Sequence, residues 1–357
     1  MIITIHPQAT SEERAHLMSL LCRMTGSQRP ISSTQIANRE VIALDGGHLD
    51  AQAQNLLQQQ NAVERVTVVK TPYQLVSRAF KPESTSVVIG KNRDCTSVIV
   101  GDTTASPVIM AGPCAVENKE QLMETALAVK EAGAHVLRGG AFKPRTSPYQ
   151  FQGLGVDGLH LLSDARDETG LPVVTEVMEP EMVEVVAQHA DVLQIGARNM
   201  QNFPLLNAAG RNSHKRPVLL KRGLSATIDE WLLAAEYIVA AGNPNVILCE
   251  RGIRSYDPQT RNVLDLTCVP LLQQLTHLPI IVDPSHATGR SELVPVMSRA
   301  SIAVGASGLI IEVHPDPNTA LCDGKQSITP AQLQKIVHES RMLTHMLQGE
   351  AALTHVA

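Results

Sequence analysis

The sequence predicts a (β/α)8 barrel with a small N-terminal ferredoxin-like α+β domain, and three observations carry that expectation. From Pro107 onward, eight short apolar runs (107–111, 134–138, 172–176, 191–195, 217–221, 245–250, 279–283 and 307–312) alternate with amphipathic helical stretches. These runs are too uniformly apolar to keep one face in water, which is the pattern of parallel strands covered on both sides. A polar residue follows every run, and no GxGxxG follows any of them, which favours a closed barrel over an open doubly wound sheet.

Ahead of the barrel, strand-like runs at 2–6, 29–36, 39–44 and 63–70 enclose helical stretches at 10–24 and 49–60, giving the order βαββαβ. Residues 71–106 contain VVIG, KNRD and SVIVG, the pattern of a hairpin. We read this segment as a linker that caps the bottom of the barrel. The expected organisation is therefore 1–70 ferredoxin-like domain, 71–106 linker and capping hairpin, 107–345 (β/α)8 barrel and 346–357 C-terminal tail. Within the barrel, Thr227 and Glu230 form a capping box, Ile228, Leu232, Ala235 and Val239 share a face, and Gly242 closes the helix.

The chain is 43% hydrophobic and only 3% aromatic, which suits a soluble enzyme with an aliphatic core. No apolar run approaches the length of a membrane span, and the first residues lack the basic and apolar regions of a signal peptide, so a cytoplasmic location is expected. The six cysteines show no CxxC spacing, which argues against a disulfide framework. A net charge of −5 with few stacking residues makes nucleic acid a poor partner.

Between Ala132 and Val156 the chain has no acidic residue, so Arg138, Lys143 and Arg145 stand without neutralisation nearby in sequence. Gly139 and Gly140 allow close backbone approach, and Pro144 and Pro148 stiffen a loop on which Lys143, Arg145, Thr146 and Ser147 would converge on an anion. Barrel active sites lie where the strands end. There the sequence offers Cys114, Arg138, Glu176, Arg198, Lys221, Arg251, Asp283 with His286, and Glu312 with Asp323.

Two sectors are expected. Cys114, His286, Glu312 and Asp323 combine a thiolate, an imidazole and two carboxylates, a set suited to Mn, Fe, Co or Zn rather than to Mg or Ca. Arg138, Arg198, Lys221 and Arg251 would repel one another unless an anion sits among them, so the substrates should be small and phosphorylated.

The motifs AGPCAVE (111–117), GGAFKPRTSPYQFQG (139–153), QIGARNMQN (194–202), LLKRG (219–223), CERG (249–252), VDPSHATG (282–289) and IIEVHPDP (310–317) resemble the type I β 3-deoxy-D-arabino-heptulosonate 7-phosphate (DAHP) synthases. The resemblance covers nearly the whole barrel. It implies condensation of phosphoenolpyruvate with erythrose 4-phosphate and water, the first step of the shikimate pathway. It further implies that Cys114, His286, Glu312 and Asp323 ligate one divalent metal, with no organic cofactor. Arg138, Arg198, Lys221 and Arg251 would hold phosphoenolpyruvate, and Lys143 would lie between the substrates. Arg145 and Thr146 would hold the aldose phosphate, and Glu176 would stand near the attacking water. The family also implies a homotetramer and, more weakly, a regulatory role for residues 1–70 with a Tyr or Phe effector. Cys322, beside Asp323, is expected to be able to form an oxidative disulfide with Cys114 in the metal-free protein.

Three other readings compete with this one. The related 3-deoxy-D-manno-octulosonate 8-phosphate synthases use arabinose 5-phosphate, but they carry KANRSS where this chain has KPRTS. A Schiff-base aldolase built on Lys221 would need an apolar lysine site, whereas Arg222 follows directly. An amino-acid sensor with an inactive barrel would leave the complete ligand set unused.

Overall fold

The computed structural model describes residues 1–26, 33–36, 39–44, 49–91, 93–102, 104–145 and 147–354. The N-terminal domain consists of β1 (Ile2–Ile5), α1 (Ser11–Thr25), β2 (Thr34–Ile36), β3 (Arg39–Ala43), α2 (Ala51–Gln58) and β4 (Val63–Thr67). Its sheet has the order β2-β3-β1-β4 with antiparallel pairing throughout. Residues 29–32 of the expected second strand lie outside the described residues. Thr10 and Glu13 cap α1 reciprocally, and Leu17 and Leu21 of that helix pack on Ile3, Ile5 and Ile42.

A short hairpin follows, formed by β5 (Val87–Ile89) and β6 (Val98–Val100). Then come β7 (Val108–Gly112), α3 (Lys119–Glu131), β8 (Val136–Arg138), α4 (Val156–Thr169), β9 (Val173–Glu176), α5 (Val183–His189) and β10 (Val192–Ile195). The second half holds α6 (Phe203–Arg211), β11 (Val218–Lys221), α7 (Ile228–Ala240), β12 (Val246–Glu250), α8 (Cys268–Leu275), β13 (Ile280–Val282), α9 (Pro284–Thr288), α10 (Val294–Ala303), β14 (Gly308–Glu312) and α11 (Pro330–Thr354). Strands β7 to β14 form a closed parallel barrel, sealed where β14 pairs with β7. The eight strands fall where the apolar runs predict them. The Thr227 and Glu230 capping box of α7 is also present. Helix α11 continues past residue 345 to Thr354. Among the described residues no helix is long and apolar enough to cross a membrane.

The hairpin fills the floor of the barrel. Val87, Ile89, Val98 and Val100 join one apolar cluster with inward residues such as Met110, Val174, Leu219 and Ile310. Burying each hairpin side chain contributes about 1.5–3 kcal/mol as an upper figure. Among the described residues the interior of the ring is thus filled at the strand starts and opens where the strands terminate. The linker is clamped to α7, whose Glu236 carboxylate accepts from Leu75 N and Val76 N at 2.8 and 3.0 Å. Ile2 and Val41 of the N-terminal domain share a core cluster with Tyr73, Leu75 and Val76.

His277, just before β13, locks the same linker. Its Nε2 donates to Leu75 O at 2.9 Å, and its Nδ1 lies 2.7 Å from Thr85 Oγ1. With Nε2 donating to a carbonyl, Nδ1 of the neutral ring is the acceptor, and the Thr85 hydroxyl, which also accepts from Lys81 Nζ at 2.8 Å, donates to it. Burial pushes the His277 pKa down from 6.5 to about 4. Between these values the unfolded chain binds the proton and the folded chain does not. Stability contributed by the neutral ring is thus complete above 6.5 and lost as pH falls, by up to about 1.4 kcal/mol per unit. Replacing His277 with Gln is expected to flatten this part of a plot of Tm against pH. An unchanged acid slope would show that the ring is not the group responsible.

Candidate active site

The C-terminal ends of the strands surround a cavity of about 170 Å3, a size for small molecules. Its lining includes Arg138, Lys143, Arg145, Glu176, Arg198, Lys221, Arg251, His286 and Asp323. Each arrives at the end of its strand or on the loop that follows, and a parallel barrel directs all of those ends to one face.

On one side, donor atoms of Cys114, Glu312 and Asp323 lie within 4.8 Å of one another. Cys114 Sγ donates to Asp323 Oδ2 at 3.2 Å. His286 falls outside this triangle, but its Nε2 is 3.3 Å from Glu312 Oε1. Asp283 sets its orientation. The carboxylate accepts from His286 N at 2.9 Å and stands 2.8 Å from Nδ1, which leaves Nε2 on the side of Glu312. Burial holds the imidazole pKa below its usual value despite Asp283 and Glu312, so the ring is neutral, as a ligand must be. One sulfur and two carboxylates within 4.8 Å of one another, with an imidazole nitrogen 3.3 Å from one of the carboxylates, are a donor set that fits a divalent transition metal. Burial, a hydrogen bond with Cys322 and the charge of Glu312 push the Cys114 thiol up, so a metal would have to displace its proton. Cys322 packs against Cys114, both as free thiols. Asp323 sits in the left-handed region at φ 52°, one of two described non-glycine residues with positive φ, a strain of about 1 kcal/mol or more concentrated at this cluster.

The separation into a metal sector and an unneutralised cation sector does not hold. Arg138 Nη1 reaches across to Glu312 Oε1 at 2.8 Å, and Lys221 Nζ pairs with Asp283 Oδ2 at 2.5 Å. Lys143 Nζ lies 3.0 Å from Cys114 Sγ and 3.3 Å from Cys114 O. Burial opposes the Lys143 ammonium, but the charges around Cys114 and Glu312 outweigh it and raise its pKa. A barrel brings strands from opposite ends of the chain into contact, so a segment without acidic neighbours in sequence can be well neutralised in space.

Arg251 is the exception. It is 5% exposed, its Nη1 is buried without a hydrogen-bond partner, and no described residue forms an ion pair with it. Burial lowers its pKa. The turn that carries it is fixed by Glu250, whose carboxylate accepts from Gly252 N at 2.6 Å and from Arg222 Nη1 at 3.0 Å. Arg222 itself pairs with Asp265 at 2.9 Å and lies over the Trp231 ring, away from the cavity. Arg198 stays exposed on the 3-10 turn Ala197–Asn199. Lys221 is ion-paired rather than set in apolar surroundings, which removes the basis for a Schiff-base site.

Glu176 is held by Gln194, whose Nε2 donates to Oε2 at 3.3 Å. A Cβ at Gly196 would come within 2.0 Å of Glu176 Oε1, so glycine there makes the room that the carboxylate occupies. Arg145 lines the cavity with its Nε bonded to Gln150 Oε1 at 3.0 Å. Ser147 does not line it, and its hydroxyl accepts from Tyr149 N. Thr146 lies outside the described residues. The sequence reading missed Gln194, Arg261 and Gln326, and gave Asp283 no role; all four touch groups at the mouth.

A parallel barrel whose single mouth joins a thiol, carboxylate and imidazole cluster to a buried unpaired guanidinium is an enzyme scaffold for small anions beside a metal. The DAHP synthetase I family model matches residues 74–349, and the chain belongs to that family. Phospho-2-dehydro-3-deoxyheptonate aldolase of Thermotoga maritima is 47% identical over 354 residues, covering 97% of this chain and 98% of its own. The crystal structure of the Thermotoga maritima DAHP synthase superposes with a TM-score of 0.74 at 46% identity, covering 97% of both chains. 2-Dehydro-3-deoxyphosphooctonate aldolase of Nitratidesulfovibrio vulgaris is 36% identical over 250 residues, covering 65% of this chain and 89% of its own.

Proposed function

We propose that this chain condenses phosphoenolpyruvate with D-erythrose 4-phosphate and water to give DAHP and inorganic phosphate, the first committed reaction of the shikimate pathway. The observation that carries the reading is that Asp323, which closes a donor triangle with Cys114 and Glu312, lines the same cavity as Arg251, whose buried Nη1 has no partner. The near full-length similarity to a phospho-2-dehydro-3-deoxyheptonate aldolase supports the four-carbon aldose, because the octulosonate enzyme matches less of the chain at lower identity.

In this reading Cys114, His286, Glu312 and Asp323 hold one divalent metal (Mn, Fe, Co or Zn). When bound, it polarises the aldehyde carbonyl. Arg251, Arg198, Arg138 and Lys221 bind the carboxylate and phosphate of phosphoenolpyruvate, with Arg251 supplying the uncompensated charge. Arg145, with Thr146 on the same loop, takes the aldose phosphate. C3 of the enol attacks the aldehyde carbon, and the Lys143 ammonium donates a proton to the alkoxide that forms. Water adds to C2 and gives its proton to Glu176, while Lys221 steadies the adding oxygen. The resulting phosphohemiketal then expels phosphate. The cations' main contribution is to offset repulsion between two anionic substrates, so that their reacting carbons can be held together.

The reading extends to a cytoplasmic homotetramer without an organic cofactor, regulated through residues 1–70 by Tyr or Phe. A truncated Thermotoga maritima DAHP synthase, 49% identical and covering 77% of this chain with a TM-score of 0.69, supports a barrel that is stable alone. Phosphate release should be followed with erythrose 4-phosphate and, separately, arabinose 5-phosphate, with each metal and with EDTA. The expected result is metal-dependent turnover of the four-carbon aldose, and inhibition by an aromatic amino acid that deletion of residues 1–70 removes. Preference for arabinose 5-phosphate, or activity surviving in EDTA, would contradict the reading.

A further inference from the structure

Beyond Arg251, the loop after β12 returns to the mouth at Arg261, a residue the reaction above does not use. Arg261 N and Asn262 N donate to Thr288 O and Ala287 O at 2.9 and 2.8 Å, and Asn262 Nδ2 donates to His286 O at 3.1 Å. These bonds fasten the loop along α9. Gly289 ends that helix at φ 67°, and a Cβ there would lie 2.6 Å from Arg261 Cβ. Glycine at 289 thus satisfies the left-handed turn and leaves space for the arginine.

Arg261 then lines the cavity with Arg145 and Lys143. Its Nη1 donates to Gln326 Oε1 at 3.0 Å and is 3.6 Å from Asp323 Oδ1. Its other N–H groups have no hydrogen-bond partner among the described residues, and its side chain is 37% exposed. Gln326 is buried, and its Nε2 donates to Glu312 Oε2 at 2.6 Å. Turning that amide over would set donor against donor and acceptor against acceptor, so both partners fix its orientation. Glu312 is consequently pinned on one oxygen by Arg138 and on the other by Gln326.

We propose that Arg261 is a further substrate contact, binding the phosphate of the aldose phosphate together with Arg145, and that Gln326 is the positioning residue that sets Arg261 and Glu312 relative to each other. The inference rests on the reaction proposed above. Its chemistry is charge matching. Arg138 and Lys221 are already engaged by carboxylates deeper in the cavity, whereas a phosphate monoester carries about −1.5 to −2 charge and is best held by more than one guanidinium. Arg145 and Arg261 both line the cavity with donors still open, Arg145 two residues from Lys143 in the chain and Arg261 beside Asp323.

The test separates the two roles. Arg261→Gln is expected to raise KM for erythrose 4-phosphate at least about tenfold, the loss of one charge-assisted contact, with KM for phosphoenolpyruvate changed by less than about twofold. Arg261→Lys should recover part of the loss. Gln326→Leu should raise the same KM with Arg261 intact, and should also release metal faster when the loaded protein is challenged with a chelator, a readout independent of turnover. An unchanged aldose KM in Arg261→Gln overturns the contact, and wild-type metal retention with wild-type KM in Gln326→Leu overturns the positioning role. Should the wild-type enzyme accept only arabinose 5-phosphate, the reaction assigned above fails. The inference is then decided by the KM of that sugar in the same variants.

Discussion

Cys114→Ala is expected to lower turnover by at least about a thousandfold, equivalent to roughly 4 kcal/mol of transition-state stabilisation, while the barrel stays folded. The thiol is the only sulfur in the donor triangle with Glu312 and Asp323, and its loss leaves a harder, sparser set. The structural cost is small by comparison. Cys114 sits in a minor cluster with Ala115, Cys322 and Phe151, and removing one buried sulfur costs on the order of 1 kcal/mol. Metal content after gel filtration, circular dichroism and phosphate release together check this. A folded variant that retains metal and turns over at the wild-type rate would remove Cys114 from the site.

Arg251→Met should give the second large effect, with opposite signs in two measurements. Truncating a buried charge that pairs with a ligand costs about 2–5 kcal/mol, so kcat/KM for phosphoenolpyruvate should fall by roughly thirty-fold to several thousand-fold. In the absence of ligand the same variant should melt higher than wild type, because a buried guanidinium without a partner is a burden on the fold. Stabilisation by added phosphoenolpyruvate should disappear. Arg138→Met provides the contrast. It breaks the 2.8 Å pair with Glu312, strands that carboxylate and should lower Tm. An Arg251→Met protein that melts below wild type without ligand would mean that Arg251 is balanced by a group other than substrate.

The barrel was legible because its strands are covered on both sides. Runs such as Val246–Glu250 are apolar at nearly every position and flanked by helix caps, so their places follow from local pattern alone. The meeting of Cys114, Glu312 and Asp323 was also legible, since the rule that strand ends share a mouth converts sequence position into proximity. What local pattern does not encode is which charge meets which. Arg138 and Glu312 are 174 residues apart, and nothing near either one announces the pair. Arg261 and Gln326 were invisible for the same reason. Arg261 owes its place to a loop laid along α9, and Gln326 looks like an ordinary polar residue until Glu312 and Arg261 are found on its two sides. Ser147 shows the converse error, because membership of a basic loop does not decide which way a hydroxyl faces.

The seam between β7 and β14 fixes when the enzyme can come into being during its synthesis. The thiol of Cys114 and the carboxylate of Asp323 stand 209 residues apart in the chain, so a ribosome must release nearly the whole polypeptide before the ring can shut. The leading domain, whose strands pair among themselves, can fold long before that moment. The half-made barrel meanwhile exposes unpaired strand edges and cannot bring Cys114 to Glu312 and Asp323, which makes the interval before closure the stage at which a nascent chain is most open to aggregation or to a chaperone.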